Sequence, residues 1–139
     1  MKVKDAMHEG AALVAPSTLL PELAERMRTD DVGALPVGEN GKLLGMVTDR
    51  DIVVRGLGAK ADPLQLAAED VMTKPLIFCT TEEDLEDAVR LMESHCVRRL
   101  PVIDGEQRLV GMLSLGDIAA NASASLVAET LRAVTAHHA

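Results

Sequence analysis

The sequence predicts an α+β protein built from two consecutive, pseudo-symmetric copies of one β-α-β-β-α unit. Residues 45–52 (GMVTDRDI) recur as residues 111–118 (GMLSLGDI), 66 positions later. A Leu-Pro-Val segment at 35–37 also recurs at 100–102, with an offset of 65. Ordered repetition over such a length indicates a duplicated structural unit. We expect no separate catalytic domain.

The composition is that of a globular protein, and it excludes several classes of function. Of 139 residues, 47% are hydrophobic and 26% are charged. The net charge of −8 opposes electrostatic binding to nucleic acid or anionic lipid. Phe78 is the only aromatic residue, so a base-stacking surface is excluded. Without an apolar run of about 20 residues or a signal-peptide core, we expect a cytoplasmic protein.

Local patterns place the first elements of the chain. Residues 2–7 form a short helical turn, and residues 12–14 form a brief apolar strand. Ser17 or Thr18 opens a helix, with Pro21 in its first turn, where the missing N–H does little harm. The spacing of apolar residues predicts one buried helix face, formed by Leu20, Leu23, Ala24 and Met27.

A hairpin and a second helix complete the first copy. Residues 33–37 and 43–47 are predicted strands, joined by the tight-turn signal Asn40-Gly41. The following helix covers residues 49–57. In the second copy the first strand lies at residues 77–78, and its helix buries Leu85, Ala88, Val89 and Met92.

The repeat divides the chain into four segments. The first repeat covers residues 1–58, the linker 59–68 and the second repeat 69–122. Residues 123–139 form a C-terminal amphipathic helix and tail that have no counterpart in the first copy. We expect the apolar stripe of that helix to be a packing surface within the chain or a dimer; its residues are Leu126, Val127, Thr130, Leu131 and Val134.

The two copies of the strand-to-helix segment carry the chemistry. Thr48-x-x-Asp51 and Ser114-x-x-Asp117 each place a hydroxyl at a helix start and a carboxylate one turn further on. Free backbone N–H groups and the positive end of the helix dipole meet there, which suits a phosphate and a neighbouring pair of sugar hydroxyls. The alternative is a purely structural capping box, worth roughly 0.5–2 kcal/mol and requiring no ligand.

With its two Leu-Pro-Val segments, each followed by a hairpin and Gly-Met-(Val/Leu)-(Thr/Ser)-x-x-Asp-Ile, the chain resembles a tandem cystathionine β-synthase (CBS) domain pair. It is similar to small stand-alone bacterial members, some of which are linked to stress or hypoxia. The resemblance implies a homodimer shaped as a flat disc of four repeats. It also implies regulatory binding of adenosine-containing ligands (AMP, ADP, ATP or S-adenosylmethionine) in clefts between the sheets, with no required cofactor.

The resemblance assigns roles to individual residues. Asp51 and Asp117 bind the ribose hydroxyls, and the phosphate contacts are Thr48, Ser114, Arg98 and Arg99. Because residues 33–34 (Gly-Ala) stand where the second repeat has its two arginines, the second cleft is better equipped for phosphate. Apolar residues would line the adenine pocket; they are Val14, Pro36, Ile77 and Pro101.

Other functions remain as alternatives. One is a ligand-free dimeric interaction scaffold in a stress response, with an unknown protein partner. Another is a zinc- or redox-responsive protein that uses His8, His95, Cys79 or Cys96, although these residues lack metal-ligand spacing and no metal site is assigned. No nucleophile–base pair is recognisable, so we do not expect an enzyme.

Overall fold

The computed structural model describes residues 1–73 and 77–136, so the tail at 137–139 lies outside the described residues. Helices and strands alternate as expected for the α+β class; they are α1 (Val3–Ala6), β1 (His8–Glu9), α2 (Leu20–Asp30), β2 (Ala34–Glu39), β3 (Lys42–Thr48), α3 (Asp49–Asp51), α4 (Ala68–Val71), β4 (Cys79–Thr80), α5 (Leu85–His95), β5 (Arg99–Ile103), β6 (Leu109–Ser114), α6 (Leu115–Asn121) and α7 (Ala124–Thr135). The chain continues α3 as wider π-helical turns over Ile52–Leu57, and a 3₁₀ turn at Pro63–Gln65 precedes α4.

The chain folds into two compact units. One consists of Ala12–Ile77, and the other combines Met1–Ala11 with Phe78–Ala139. We refer to them as the middle unit and the terminal unit. The first eleven residues therefore belong in space with the second copy of the motif. Repeats along the sequence and compact units in space are different divisions of this chain.

The middle unit is organised around an antiparallel hairpin of β2 and β3. Its turn places Asn40 at φ 56° and Gly41 at φ 78°, the left-handed conformations that an Asn-Gly turn favours, so this prediction is confirmed. The strands and α2 enclose a hydrophobic core; its buried residues are Val14, Leu20, Leu23, Met27, Leu35, Val37, Val47, Ala68 and Val71.

Three expectations for the middle unit need correction. The helix begins at Leu20, after Ser17 and Thr18, although Pro21 does lie in its first turn. Ala24 is exposed, because the buried face of α2 is narrower than the apolar spacing suggests. The predicted strand at 12–14 is a single bridge at Val14, whose N–H and C=O pair with the chain on either side of Val37.

The terminal unit contains a four-stranded sheet in the order β1-β6-β5-β4, in which only β4 and β5 run parallel. The strand predicted at residues 77–78 lies two residues further along the chain, at Cys79–Thr80. The helix α5 buries Leu85, Ala88, Val89 and Met92, as its spacing predicts.

The C-terminal helix α7 packs against α5 and α6. It buries Thr130 and Val134 completely, as the amphipathic stripe predicts. Leu131 is 52% exposed, so the terminal unit itself does not cover it, and its place in a dimer surface stays a prediction. The stripe that the terminal unit covers is therefore narrower than the sequence pattern.

Strand β1 has no apolar pattern and was not expected. His8 pairs with Met112 and Glu9 pairs with Gly111 at the edge of the sheet. A Cβ at position 111 would lie 2.3 Å from the His8 carbonyl oxygen, so only glycine permits this close approach. Gly111 therefore brings β1, and His8 with it, against the strand that leads to Ser114.

We predict that Gly111→Ala destabilises the terminal unit by about 1–3 kcal/mol, because the added methyl group collides with backbone that cannot move aside. Urea unfolding followed by far-UV circular dichroism measures the change. The matched control is Gly105→Ala, where no atom lies within 4 Å of the new Cβ. Equal stabilities for the two variants would contradict this role of Gly111.

Candidate functional site

In the middle unit, the junction between β3 and α3 holds a buried carboxylate. Thr48 has an extended backbone, and its Oγ1 accepts a hydrogen bond from the Asp51 N–H (3.1 Å). Asp51 Oδ2 accepts in return from the Thr48 N–H (2.9 Å). This reciprocal capping box forms because strand and helix meet without an intervening residue. It leaves Asp51 only 8% exposed.

Two further side chains approach Asp51. The Thr73 hydroxyl donates to Oδ2 (3.2 Å), and Arg55 Nε lies 4.0 Å from Oδ1. The Arg55 guanidinium also donates to the carbonyl oxygens of Val71 and Met72, at 3.4 and 3.2 Å. The permanently charged Arg55 guanidinium therefore lies beside the buried Asp51 carboxylate and is hydrogen-bonded to the end of α4.

In the terminal unit, the junction between β6 and α6 repeats this arrangement. Asp117 Oδ2 accepts from the Ser114 N–H (2.8 Å), and Ser114 Oγ accepts from the Asp117 N–H (3.3 Å). The Ser114 hydroxyl also donates to Asp117 Oδ2 (3.0 Å), so the serine side chain and the carboxylate are hydrogen-bonded directly to each other. Asp117 is 5% exposed.

The second carboxylate has a different neighbour. His8 Nδ1 lies 2.5 Å from Asp117 Oδ1, and since an ionised carboxylate only accepts, this nitrogen carries the proton. The His8 side chain is itself 77% exposed. Sequence reasoning considered His8 only as a metal ligand. The signal that it missed is the offset of 65, which makes His8 the counterpart of Thr73.

The predicted arginine pair lies beside the second junction. Arg99 stands opposite Ser114 in the β5–β6 pair, and the Arg98 carbonyl accepts from the Leu115 N–H (3.0 Å). Both side chains are exposed, and within the described part of the chain neither forms an ion pair. In the middle unit Ala34 stands opposite Thr48, so that junction lacks the two cations.

The apolar residues predicted to hold adenine have different placements. Val14 and Pro36 are buried in the middle unit, and Pro101 is buried in the terminal unit. Ile77 is half-buried at the end of the middle unit. Val14 pairs with β2 through a bridge to Val37. The equivalent residue of the terminal unit is Cys79, which stands opposite Val102 in β5.

The cysteines and histidines considered for metal or redox chemistry lie on separate elements. Cys79 is fully buried in β4 with its Sγ 3.8 Å from the Pro101 carbonyl oxygen. Cys96 ends α5, where His95 contacts the Leu91 carbonyl oxygen. Across residues 1–73 and 77–136, no group of three or more His, Cys, Asp or Glu side chains is arranged to hold a metal ion. None of the helices in those residues has the length and apolarity to span a membrane.

The sequence model of the CBS domain matches this chain twice, at residues 3–57 and 68–124. Together the two matches include both capping boxes. Among curated proteins, the CBS domain-containing protein YhcV of Bacillus subtilis is 43% identical over 119 residues, 86% of this chain and 84% of YhcV. Hypoxic response protein 1 of Mycobacterium tuberculosis is 36% identical over 132 residues, which cover 94% and 92% of the two chains.

Solved structures show the same fold. The crystal structure of Hypoxic Response Protein I with two coordinated zinc ions superposes with a TM-score of 0.80 and 38% identity, covering 86% of this chain and 98% of that one. The crystal structure of CBSX2 in complex with AMP has a TM-score of 0.77 and 30% identity, with coverages of 87% and 95%.

We predict that Cys79 is unreactive in the folded protein. Burial, reinforced by the Glu83 carboxylate, raises the pKa of the Cys79 thiol to about 12, so at about pH 8 it stays protonated and inaccessible. In Cys96→Ser, which leaves Cys79 as the only thiol, a colourimetric thiol reagent should react only after urea unfolding. Rapid reaction of the native variant would contradict the structural role of Cys79.

Proposed function

Since the chain belongs to the CBS domain family, we propose that it is a regulatory module that binds adenosine-containing ligands such as AMP, ADP, ATP or S-adenosylmethionine. It would act in the cytoplasm as a homodimer, without catalysis, and signal to an unknown protein partner. The observation that carries the proposal is the duplicated buried carboxylate, Asp51 and Asp117, at a helix start beside a hydroxyl.

The ribose is assigned to these carboxylates because an ionised carboxylate offers only acceptors, about four per group. In each capping box the backbone bond uses Oδ2, so that Oδ1 is directed to other partners. Two neighbouring sugar hydroxyls are two donors at the right separation for one carboxyl group. A buried carboxylate also favours such donors, because its charge is costly to leave without partners.

Phosphate recognition is proposed for Thr48 in the middle unit and for Ser114, Arg98 and Arg99 in the terminal unit. Arginine forms strong charge-assisted bonds to phosphate, so the exposed pair favours a charged ligand at the second site. The adenine would lie against apolar residues and main-chain groups; those proposed are Val14, Pro36, Ile77 and Pro101. The AMP complex of CBSX2 supports this class of ligand by similarity.

The second candidate function is a ligand-free dimeric scaffold in a stress response. The capping boxes favour it, because each junction satisfies its own N–H groups without a ligand. The similarity to Hypoxic response protein 1 supports a stress-related role for either candidate.

Isothermal titration calorimetry with AMP, ATP and S-adenosylmethionine tests the proposal. We expect micromolar binding, and we expect Asp51→Ala or Asp117→Ala to weaken it at least about tenfold, since a hydrogen-bonded charged group typically contributes 1.5–3 kcal/mol. The matched control is Asp70→Ala. Asp70 caps α4 through the Ala67 N–H (2.8 Å), but it is exposed and has no hydroxyl partner at the cap.

The two candidate functions differ in what these variants do. If all three carboxylate variants lose similar stability while none of the three ligands binds the unmodified protein, the scaffold is supported and the nucleotide proposal fails. Thermal unfolding by circular dichroism supplies the stability measurement for each variant, because the chain has no Trp or Tyr for fluorescence.

We further predict that Arg99→Ala weakens AMP binding about tenfold but leaves adenosine binding within about twofold, because its charge-assisted bond goes to the phosphate. Parallel titrations with AMP and adenosine measure the ratio. Arg90→Ala is the control, since Arg90 is an exposed arginine of the same unit that pairs with Asp87 (3.1 Å). Equal losses for both ligands would argue against a phosphate contact.

A further inference from the structure

Building on the proposed function, we propose that His8 is a latch on Asp117. It occupies the carboxylate oxygen that the second ligand needs, so that the Asp51 site fills first. The Asp117 site fills only as His8 leaves. The two carboxylates have the same backbone geometry and different neighbours.

At Asp51 the acceptor positions needed for a ribose are open. Oδ2 already accepts from the Thr48 N–H and the Thr73 hydroxyl, which fills its two lone pairs. Oδ1 has Arg55 at 4.0 Å, beyond hydrogen-bonding distance. The Thr48 hydroxyl accepts from the Asp51 N–H, and within the described residues its own proton has no acceptor, so it remains available for a phosphate.

At Asp117 the same positions are in use. Oδ2 accepts from the Ser114 N–H and the Ser114 hydroxyl, so the proton of that hydroxyl is already engaged in a hydrogen bond. Oδ1 accepts from His8 Nδ1. The imidazole uses one of the two lone pairs of Oδ1, so a ligand must displace it before both of its vicinal hydroxyls can bond to this oxygen.

The latch can open without disturbing the fold. His8 is 77% exposed and lies on the two-residue edge strand β1, whose backbone pairing with β6 does not involve the imidazole. Rotation of the His8 side chain into solvent is enough. His8 is the exposed member of this contact, so a ligand can displace the imidazole into solvent while Asp117 stays buried.

The charges around His8 make Asp117 its ionic partner. Strand β6 contributes no titratable side chain, and α6 contributes only Asp117. On α1, Lys4 pairs with Glu82, and the Asp5 carboxylate accepts from the Lys2 N–H. Glu9, next to His8 on β1, is exposed.

The test uses full-length protein carrying Asp51→Ala, so that only the Asp117 site remains, titrated with AMP. Adding His8→Ala to Asp51→Ala should tighten AMP binding about two- to fivefold, because the imidazole no longer occupies Asp117 Oδ1. Adding His8→Gln, whose side chain still donates a hydrogen bond, should tighten it less. His95→Ala is the matched histidine control.

A second measurement detects the displacement of the His8 imidazole directly. In Asp51→Ala, the imidazole signals of His8 in ¹H–¹³C NMR spectra should move when AMP is added, while those of His95 stay in place. Circular dichroism confirms that each variant is folded.

The outcomes separate this inference from the function on which it rests. Unchanged AMP affinity on adding His8→Ala to Asp51→Ala would overturn the latch while leaving nucleotide binding intact. Loss of all binding in folded Asp51→Ala, with or without His8→Ala, would overturn it as well, by showing that Asp117 receives no ligand. If the unmodified protein does not bind AMP, the proposed function fails and the latch fails with it.

Discussion

The hydrogen bond from the strand-end backbone N–H to the carboxylate three residues later is the contact on which both units depend. It joins Thr48 to Asp51 at 2.9 Å and Ser114 to Asp117 at 2.8 Å. At each place a strand turns into a helix without a loop, and the helix start would otherwise leave donors without partners. The hydroxyl that accepts from the carboxylate residue's own N–H completes the junction.

In each unit the two oxygens of the buried carboxyl group have different partners. Oδ2 stabilises the fold, since it accepts the hydrogen bond from the strand-end backbone N–H in both units. Oδ1 lies next to a different side chain in each unit, Arg55 in the middle unit and His8 in the terminal unit. A capping box therefore does not compete with ligand binding, because a carboxylate has enough acceptors for both.

Duplication preserved the backbone of the junction and changed the side chains around it. Counterparts at the offset of the repeat differ in charge, since Ala34 stands where the second copy has Arg99, and Thr73 where the first segment has His8. The Asp51 carboxylate thus has Arg55 nearby and the Thr73 hydroxyl on Oδ2, whereas the Asp117 carboxylate has an imidazole on Oδ1 and two exposed arginines beside its junction.

The sequence alone determined the features whose partners are close along the chain. The Asn40-Gly41 turn and the two capping boxes join residues that are neighbours, so the residue types are sufficient. Only the tertiary structure placed β1 on β6, because that pairing joins distant segments and β1 has no apolar pattern. It thereby decided that His8 meets Asp117, an encounter set by the approach to Gly111 rather than by any local motif.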